Sequence, residues 1–254
     1  MRWHGSRRFL MIFLCCCTAL EGVSNHDPFL DRARLACAGE CEGTGNDACG
    51  RAQAVAENRA RLKRLLPSEP TWLEQVHGTR VIDLDNLPPE PKGDAALTRL
   101  ERRVCAVMTA DCLPVLFCDD AGTVVAAAHA GWRGLVSGVL EATVASMAVR
   151  SDCVLAWLGP AIGPDAFEVG DEVREAFLAR DRGAAEAFIN NGQPGKWLAD
   201  LYMLARRRLV RAGVARIYGG GLCTWTDRER FYSYRRDGVT GRFASMIWLG
   251  DGGR

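Results

Sequence analysis

From Gln53 the chain mixes apolar and charged positions in a helical rhythm. Ala54, Val55, Ala56, Ala60, Leu62, Leu65 and Leu66 fall among Glu57, Arg59, Arg61 and Lys63, which predicts a surface helix. From Val104 the pattern changes to short, nearly unbroken apolar runs. Residues 104–108, 113–118 and 123–128 predict buried strands. Asp119-Asp120-Ala121-Gly122 splits the last two runs, and its Asp/Gly content predicts a hairpin turn. Residues 134–149 predict a helix, with Leu135, Val136, Val139, Leu140, Thr143, Val144 and Met147 on one face. Residues 153–158 predict another buried strand, ending in Gly159-Pro160-Ala161-Ile162-Gly163-Pro164, a stretch too rich in Gly and Pro to be regular. Residues 171–180 and 198–212 predict helices, the second closed by Gly213. Residues 214–218 and 243–249 predict late strands. Strands and helices interleave, so the expected class is α/β, a compact sandwich with a mixed sheet.

The first 50 residues break this regularity. Arg2, Arg7 and Arg8 precede an apolar run over residues 9–20. That run has the length of a signal-peptide core, without a small-x-small cleavage pattern behind it. The stronger reading is the first buried strand. Residues 25–50 hold few large apolar residues and show neither period. Cys37-x3-Cys41 and Cys49 lie there, but the spacing suits no common zinc finger and no fourth ligand accompanies them. The expected division is therefore an atypical segment, residues 1–50, and a domain of regular α/β pattern, residues 51–254.

Composition narrows the class. The chain has 254 residues, 48% hydrophobic and 25% charged, ordinary for a globular protein. Lys+Arg is 32 against Asp+Glu 31, a net charge of +1; a duplex-binding protein usually carries a basic excess. Six of the 11 cysteines lie in the first 50 residues. The others (Cys105, Cys112, Cys118, Cys153, Cys223) are scattered, mostly in apolar runs, as in a reduced cytosolic protein.

Three segments place reactive residues at the ends of apolar runs: Glu74-Gln75-Val76-His77-Gly78, Thr109-Ala110-Asp111-Cys112-Leu113-Pro114 and Ala128-His129-Ala130-Gly131-Trp132-Arg133-Gly134. His77, Cys112 and His129 form a plausible zinc set, since zinc takes N and S ligands and three of them leave a position open. The same residues also allow a metal-free site, with Cys112 as nucleophile and His129 as base. Taken singly, His77 reads as a hydrogen-bonded loop residue and Cys112 as an inert buried thiol. Arg133 precedes a predicted helix and suits an anion; it suits a surface ion pair as well. Tyr232-Ser233-Tyr234-Arg235-Arg236-Asp237 combines aromatics that can stack on a base with guanidinium groups that can hold phosphate, or it is a solvated turn. Arg206-Arg207-Arg208 reads as a solvated helix face.

These segments, with Gly93-Asp94-Ala95 and Leu158-Gly159-Pro160-Ala161-Ile162-Gly163, occur in an order that closely resembles the YfiH-like family, also called the laccase-domain or multicopper polyphenol oxidase family. The resemblance runs from about Ala54 to Gly250. It implies a sandwich akin to the cytotoxic necrotising factor catalytic domain, zinc on His77, Cys112 and His129, and a cytoplasmic monomer or homodimer. It further implies purine nucleosides and phosphate as substrates, with no nucleic acid or membrane partner. Phosphorolysis of adenosine, inosine, guanosine and methylthioadenosine, and deamination of adenosine, are the implied activities. Arg59, Arg133 and Arg235 are then the candidates for phosphate and substrate. Asp94 and Asp111 become acid/base groups or partners of the ligands.

Two rival enzyme readings accompany the family. One is a Cys112–His129 hydrolase editing a cell-wall precursor. The other is a copper-dependent phenol oxidase, which the four histidines of the chain are too few to support as a multicopper cluster. A binding protein with structural zinc is the non-enzymatic rival. The chain departs from the family between Gly22-Val23-Ser24 and Glu57-Asn58-Arg59. Residues 25–50 lack the expected Ser-Leu-Asn-Leu-Gly-x-His stretch, which predicts a frame change in the coding region or divergence of a pocket-closing segment.

Overall fold

The computed structural model describes residues 9–14 and 48–250. The cysteine-rich stretch with Cys37 and Cys41, and the end of the apolar run over residues 15–20, lie outside them. Within that run, Phe9–Leu14 forms strand β1, as the strand reading expects. Helix α1 (Ala48–Lys63) follows, then β2 (Val81–Asp83), β3 (Ala95–Thr98), β4 (Cys105–Thr109), β5 (Leu113–Asp119) and β6 (Val125–Ala130). Helices α2 (Trp132–Ser137) and α3 (Val139–Met147) lead to β7 (Val154–Leu158). Next come β8 (Glu168–Gly170), α4 (Asp171–Leu178), β9 (Phe188–Asn190), β10 (Lys196–Ala199) and α5 (Leu201–Arg211). The chain continues through β11 (Arg216–Gly219), α6 (Tyr234–Asp237) and β12 (Phe243–Leu249).

Six strands make a mixed sheet in the order β11-β7-β5-β6-β3-β2, three make a second sheet in the order β1-β12-β4, and three short ones make a small third sheet in the order β8-β10-β9. The predicted hairpin is present. β5 and β6 pair antiparallel from Leu113↔Ala130 to Cys118↔Val125. The Asp119 carboxylate closes the turn by accepting the N–H groups of Thr123 and Val124 and the Thr123 hydroxyl.

Alternation along the strands decides which residues face which layer. Cys105 and Val107 of β4, Ile247 and Leu249 of β12, and Leu116, Val125 and Ala127 of the large sheet fill the space between the sheets. Val104, Ala106, Met108, Ala244, Met246 and Trp248 face the other way and pack with Leu62 of α1. On the far side of the large sheet, Val115, Phe117, Ala126 and Ala128 pack against Leu140, Val144 and Leu209 of α3 and α5. The result is a helix, two sheets and a helical layer stacked in that order.

Three expectations change. The helix predicted over 134–149 is two helices, because Gly138 adopts φ 104° and its N–H returns to the carbonyls of Gly134 and Leu135; only glycine takes that φ without strain. The helix predicted from 198 begins at Leu201, since Trp197 to Ala199 pair with β9 and Asp200 caps the helix by accepting the Met203 N–H. Arg206, Arg207 and Arg208 are not simply solvated. Arg206 donates to the Ile217 and Gly219 carbonyls, Arg207 pairs with Asp181, and Arg208 pairs with Glu141.

Candidate metal centre

One carboxylate organises two of the three candidate ligands. Asp94 precedes β3 and is fully buried. Its oxygens accept the N–H groups of Val76 (3.2 Å), His77 (2.8 Å) and Gly78 (2.7 Å). A fourth donor, from a side chain, completes the set: His129 Nδ1 lies 2.8 Å from Asp94 Oδ1. A carboxylate only accepts, so Nδ1 carries the proton and Nε2 is left as the outward nitrogen. His77 is held in the left-handed region at φ 60°, a cost the three backbone bonds offset. Gln75 ties the same loop to β4, its amide donating to the Met108 carbonyl and accepting the Met108 N–H, both at 2.8 Å.

Cys112 arrives from the β4–β5 connection. Its Sγ lies 3.8 Å from His77 Nε2, and the His77 and His129 rings meet edge-on with centroids 4.7 Å apart. One ligand atom from each of His77, Cys112 and His129 falls within 4.8 Å of the others. Gly131 lines this space. A Cβ there would come within 2.8 Å of His77 Cδ2 and 2.9 Å of Cys112 Sγ, closer than side chains pack.

Burial opposes charge at Cys112, His129 and Asp94, yet their mutual placement wins. The Cys112 thiol, raised by desolvation, is brought down to about 6 by the His129 and His77 imidazoles beside it. His129 is lowered by burial but raised to about 9 by the Cys112 thiolate and the Asp94 carboxylate. Asp94 sits below the usual carboxylate range: burial raises it, and the His129 and backbone hydrogen bonds more than offset this. Cys118, buried without such partners, is pushed up to about 12 by desolvation and the neighbouring Asp119.

The metal-free protein should therefore alkylate at Cys112 with a midpoint near pH 6, well below an ordinary thiol. Rates of iodoacetamide labelling against pH, read by peptide mass spectrometry, check this; a midpoint above pH 8 would contradict the ion pair. The thiolate and imidazolium together hold as many protons as the neutral thiol and imidazole of the unfolded chain. Between the unfolded histidine pKa of about 6.5 and the unfolded thiol pKa of about 8.5, this pair should add no slope to stability against pH.

Residues 40–250 match the model of the family described as Multi-copper polyphenol oxidoreductase laccase. The chain belongs to this family. It is 61% identical over 198 residues to "Purine nucleoside phosphorylase YfiH" of Escherichia coli strain K12, covering 77% of this chain and 81% of that protein. It is 49% identical over 233 residues to "Purine nucleoside phosphorylase" of Xylella fastidiosa strain Temecula1, covering 88% and 86%. Among solved structures, a Neisseria meningitidis protein superposes with a TM-score of 0.76 at 49% identity, covering 84% of this chain and 90% of the other. The crystal structure of YlmD from Geobacillus stearothermophilus superposes at 0.73 with 25% identity, covering 96% and 92%.

The family description implies copper, so the donor set is the proper test. Two imidazole nitrogens and a thiolate suit one borderline or soft ion, zinc or copper. Their spacing and the gap kept open by Gly131 fit a single ion held by three protein ligands. With four histidines in the chain, the imidazoles for several coppers are not there.

The remaining candidates divide. Arg133 is exposed at the start of α2, its guanidinium over the Trp132 ring at 4.5 Å. Arg235 donates to the Glu168 carbonyl at 2.7 Å and lies over Phe167. Arg59 stacks on Trp72 at 4.6 Å, in the layer outside the small sheet. Asp111 accepts the Thr224 hydroxyl at 2.6 Å and the Arg235 N–H at 2.7 Å, so both its oxygens are engaged within the protein. Within the segment 232–237, Tyr234–Asp237 forms α6, and Arg236 is engaged inside the protein, donating to the Thr224, Trp225 and Phe231 carbonyls. Sequence reasoning did not single out Thr224 for any role. Its only signal was its place beside Cys223 in a polar stretch.

No helix among the described residues is long and apolar enough to cross a membrane.

Proposed function

We propose that this chain is a cytoplasmic zinc-dependent purine nucleoside phosphorylase, acting on adenosine, inosine, guanosine and methylthioadenosine, with adenosine deamination as a second activity of the same site. The observation that carries this reading is the assembled donor set of His77, Cys112 and His129 in a chain whose high-identity relatives bear the phosphorylase name. His77, Cys112 and His129 would hold a zinc ion, which would supply Lewis acidity when bound.

The chain's own residues supply the rest. Asp94 fixes the His129 tautomer and keeps the ring from turning. Arg133, exposed beside Gly131 and paired with no carboxylate among the described residues, holds phosphate at the mouth of the site. In phosphorolysis a phosphate oxygen bonds to the anomeric carbon, the glycosidic C–N bond breaks, and the purine leaves with a proton. In deamination water adds at C6 of adenine and ammonia leaves. Arg235 is tied to Glu168 and Phe167, and lines the substrate side only by turning from those contacts.

Incubation of the zinc-loaded protein with adenosine and phosphate, followed by mass spectrometry, tests this. Adenine with ribose phosphate is the expected product pair, and inosine reports deamination. A folded, zinc-loaded sample that yields none of these overturns the proposal.

The lowered Cys112 thiol and the Asp94-oriented His129 favour one second reading, a metal-free Cys112 hydrolase acting on a cell-wall precursor. Turnover that survives a chelator but not iodoacetamide would select it.

A further inference from the structure

Cys112 receives no hydrogen bond from Asp94, so something else must place it. The preceding residue does. Asp111 is a non-glycine residue at φ 92°, a conformation that persists only where surrounding contacts over-determine it. Three contacts do so. The Asp111 carbonyl accepts the Ile162 N–H at 2.9 Å. Its carboxylate accepts the Thr224 hydroxyl through Oδ1 and the Arg235 N–H through Oδ2.

Thr224 is itself fixed. It is fully buried, and its N–H donates to the Ala161 carbonyl at 3.0 Å. Its carbonyl accepts Arg236 Nη1 at 2.8 Å. Arg236 also holds the Trp225 and Phe231 carbonyls and pairs with Asp237. Ser233 caps this turn by accepting the Arg236 N–H. The segment from Thr224 to Asp237 is thus braced internally and presents one hydroxyl and one N–H to Asp111.

We propose that Thr224 is a positioning residue for the thiolate ligand: through Asp111 it sets where Cys112 Sγ stands relative to His77 and His129. This makes the C-terminal segment part of the metal site although it contributes no ligand. It also gives Asp111 a holding role in place of an acid/base one. The inference rests on the zinc reading of the three ligands. His77 and His129 are referenced separately to Asp94, so loss of the Thr224 hydroxyl displaces the sulfur and leaves the imidazoles in place.

The test is Thr224→Val in the full chain, compared with Thr224→Ser and with Thr143→Val. Thr143 is a buried α3 residue whose hydroxyl donates to the Val139 carbonyl away from the site, so it controls for the general loss of a buried hydroxyl. Zinc affinity is measured by chelator competition, and the cobalt-substituted protein is read by its thiolate-to-cobalt absorption band. Thr224→Val should weaken zinc binding about 10- to 100-fold and reduce the cobalt band. Thr224→Ser should restore both, and Thr143→Val should change neither. Should Thr224→Val fail to fold, Asp111→Asn sets an amide N–H₂ against one of the two donors and should reduce the band in the same way.

Wild-type affinity and band in Thr224→Val, or no rescue by Thr224→Ser, would overturn the proposal. Failure of the zinc reading looks different: Cys112→Ala would then bind zinc as tightly as the wild type, and the proposal would fall with its premise.

Discussion

Gly131→Ala is expected to empty the metal centre while leaving the fold standing. Gly131 has φ −63° and ψ 160°, which alanine adopts freely, so the backbone gives no reason for harm. The harm comes from the side chain. The added Cβ would meet His77 Cδ2 at 2.8 Å and Cys112 Sγ at 2.9 Å. Neither distance is tolerated, and the two side chains must separate. Overpacking of this kind costs about 1–3 kcal/mol, within the stability of an ordinary domain. Two displaced ligands out of three should weaken zinc binding by at least about 100-fold, the upper range for disturbing a ligand's support. Zinc content after dialysis, with circular dichroism as the control for folding, reads the outcome. A folded Gly131→Ala protein that keeps its zinc would place the metal elsewhere.

Asp94→Asn should be nearly as severe and should fail differently. The carboxylate accepts from the N–H groups of Val76, His77 and Gly78 and from His129. An asparagine of the same size brings a donor N–H₂ against one side of this all-donor shell. Breaking a buried charged contact costs about 3–5 kcal/mol, so a large fall in melting temperature should accompany the loss of metal. The pH dependence has a definite sign. Asp94 is lowered on folding, so its contribution is fully present above the unfolded carboxylate value of about 3.9. It is lost only as pH falls through the lower folded value. The variant should therefore show less loss of stability in strong acid than the wild type. Thermal melts from pH 2 to 7 measure this; parallel curves would mean that Asp94 is not the group that titrates.

The long central strands were legible because they are nearly all apolar and end at turn residues, whereas the short strands β2, β3, β8, β9 and β10 were not. Phe243–Leu249 is the clearest case, with every residue buried. β3 was not foreseen: Ala95-Ala96-Leu97-Thr98 is short and alanine-rich, and only its pairing with β6 and β2 makes it a strand. The break at Gly138 was hidden because the apolar stripe continues across it. His77, Cys112 and His129 were legible as reactive residues at the ends of apolar runs. The partners of Asp111 were not, since Thr224 and Arg235 lie 113 and 124 residues away, and no local pattern reports contacts that distant.

β12 is the last of the described strands, yet it lies in the middle of its sheet, between β1 and β4. A ribosome delivers β4, Asp111 and Cys112 long before it delivers the strand that pairs with β4 or the segment that holds Asp111. Until then the His77–Asp94–His129 side can assemble on β3 and β6, but the cysteine side has no fixed position. The growing chain thus offers two nitrogen ligands first and a placed sulfur only near the end of synthesis. On the proposed reading, a metal would find its full ligand set only after the 224–237 segment has been made; a chain truncated before Thr224 lacks the partners of Asp111, and one truncated before Phe243 lacks the strand that pairs with β4.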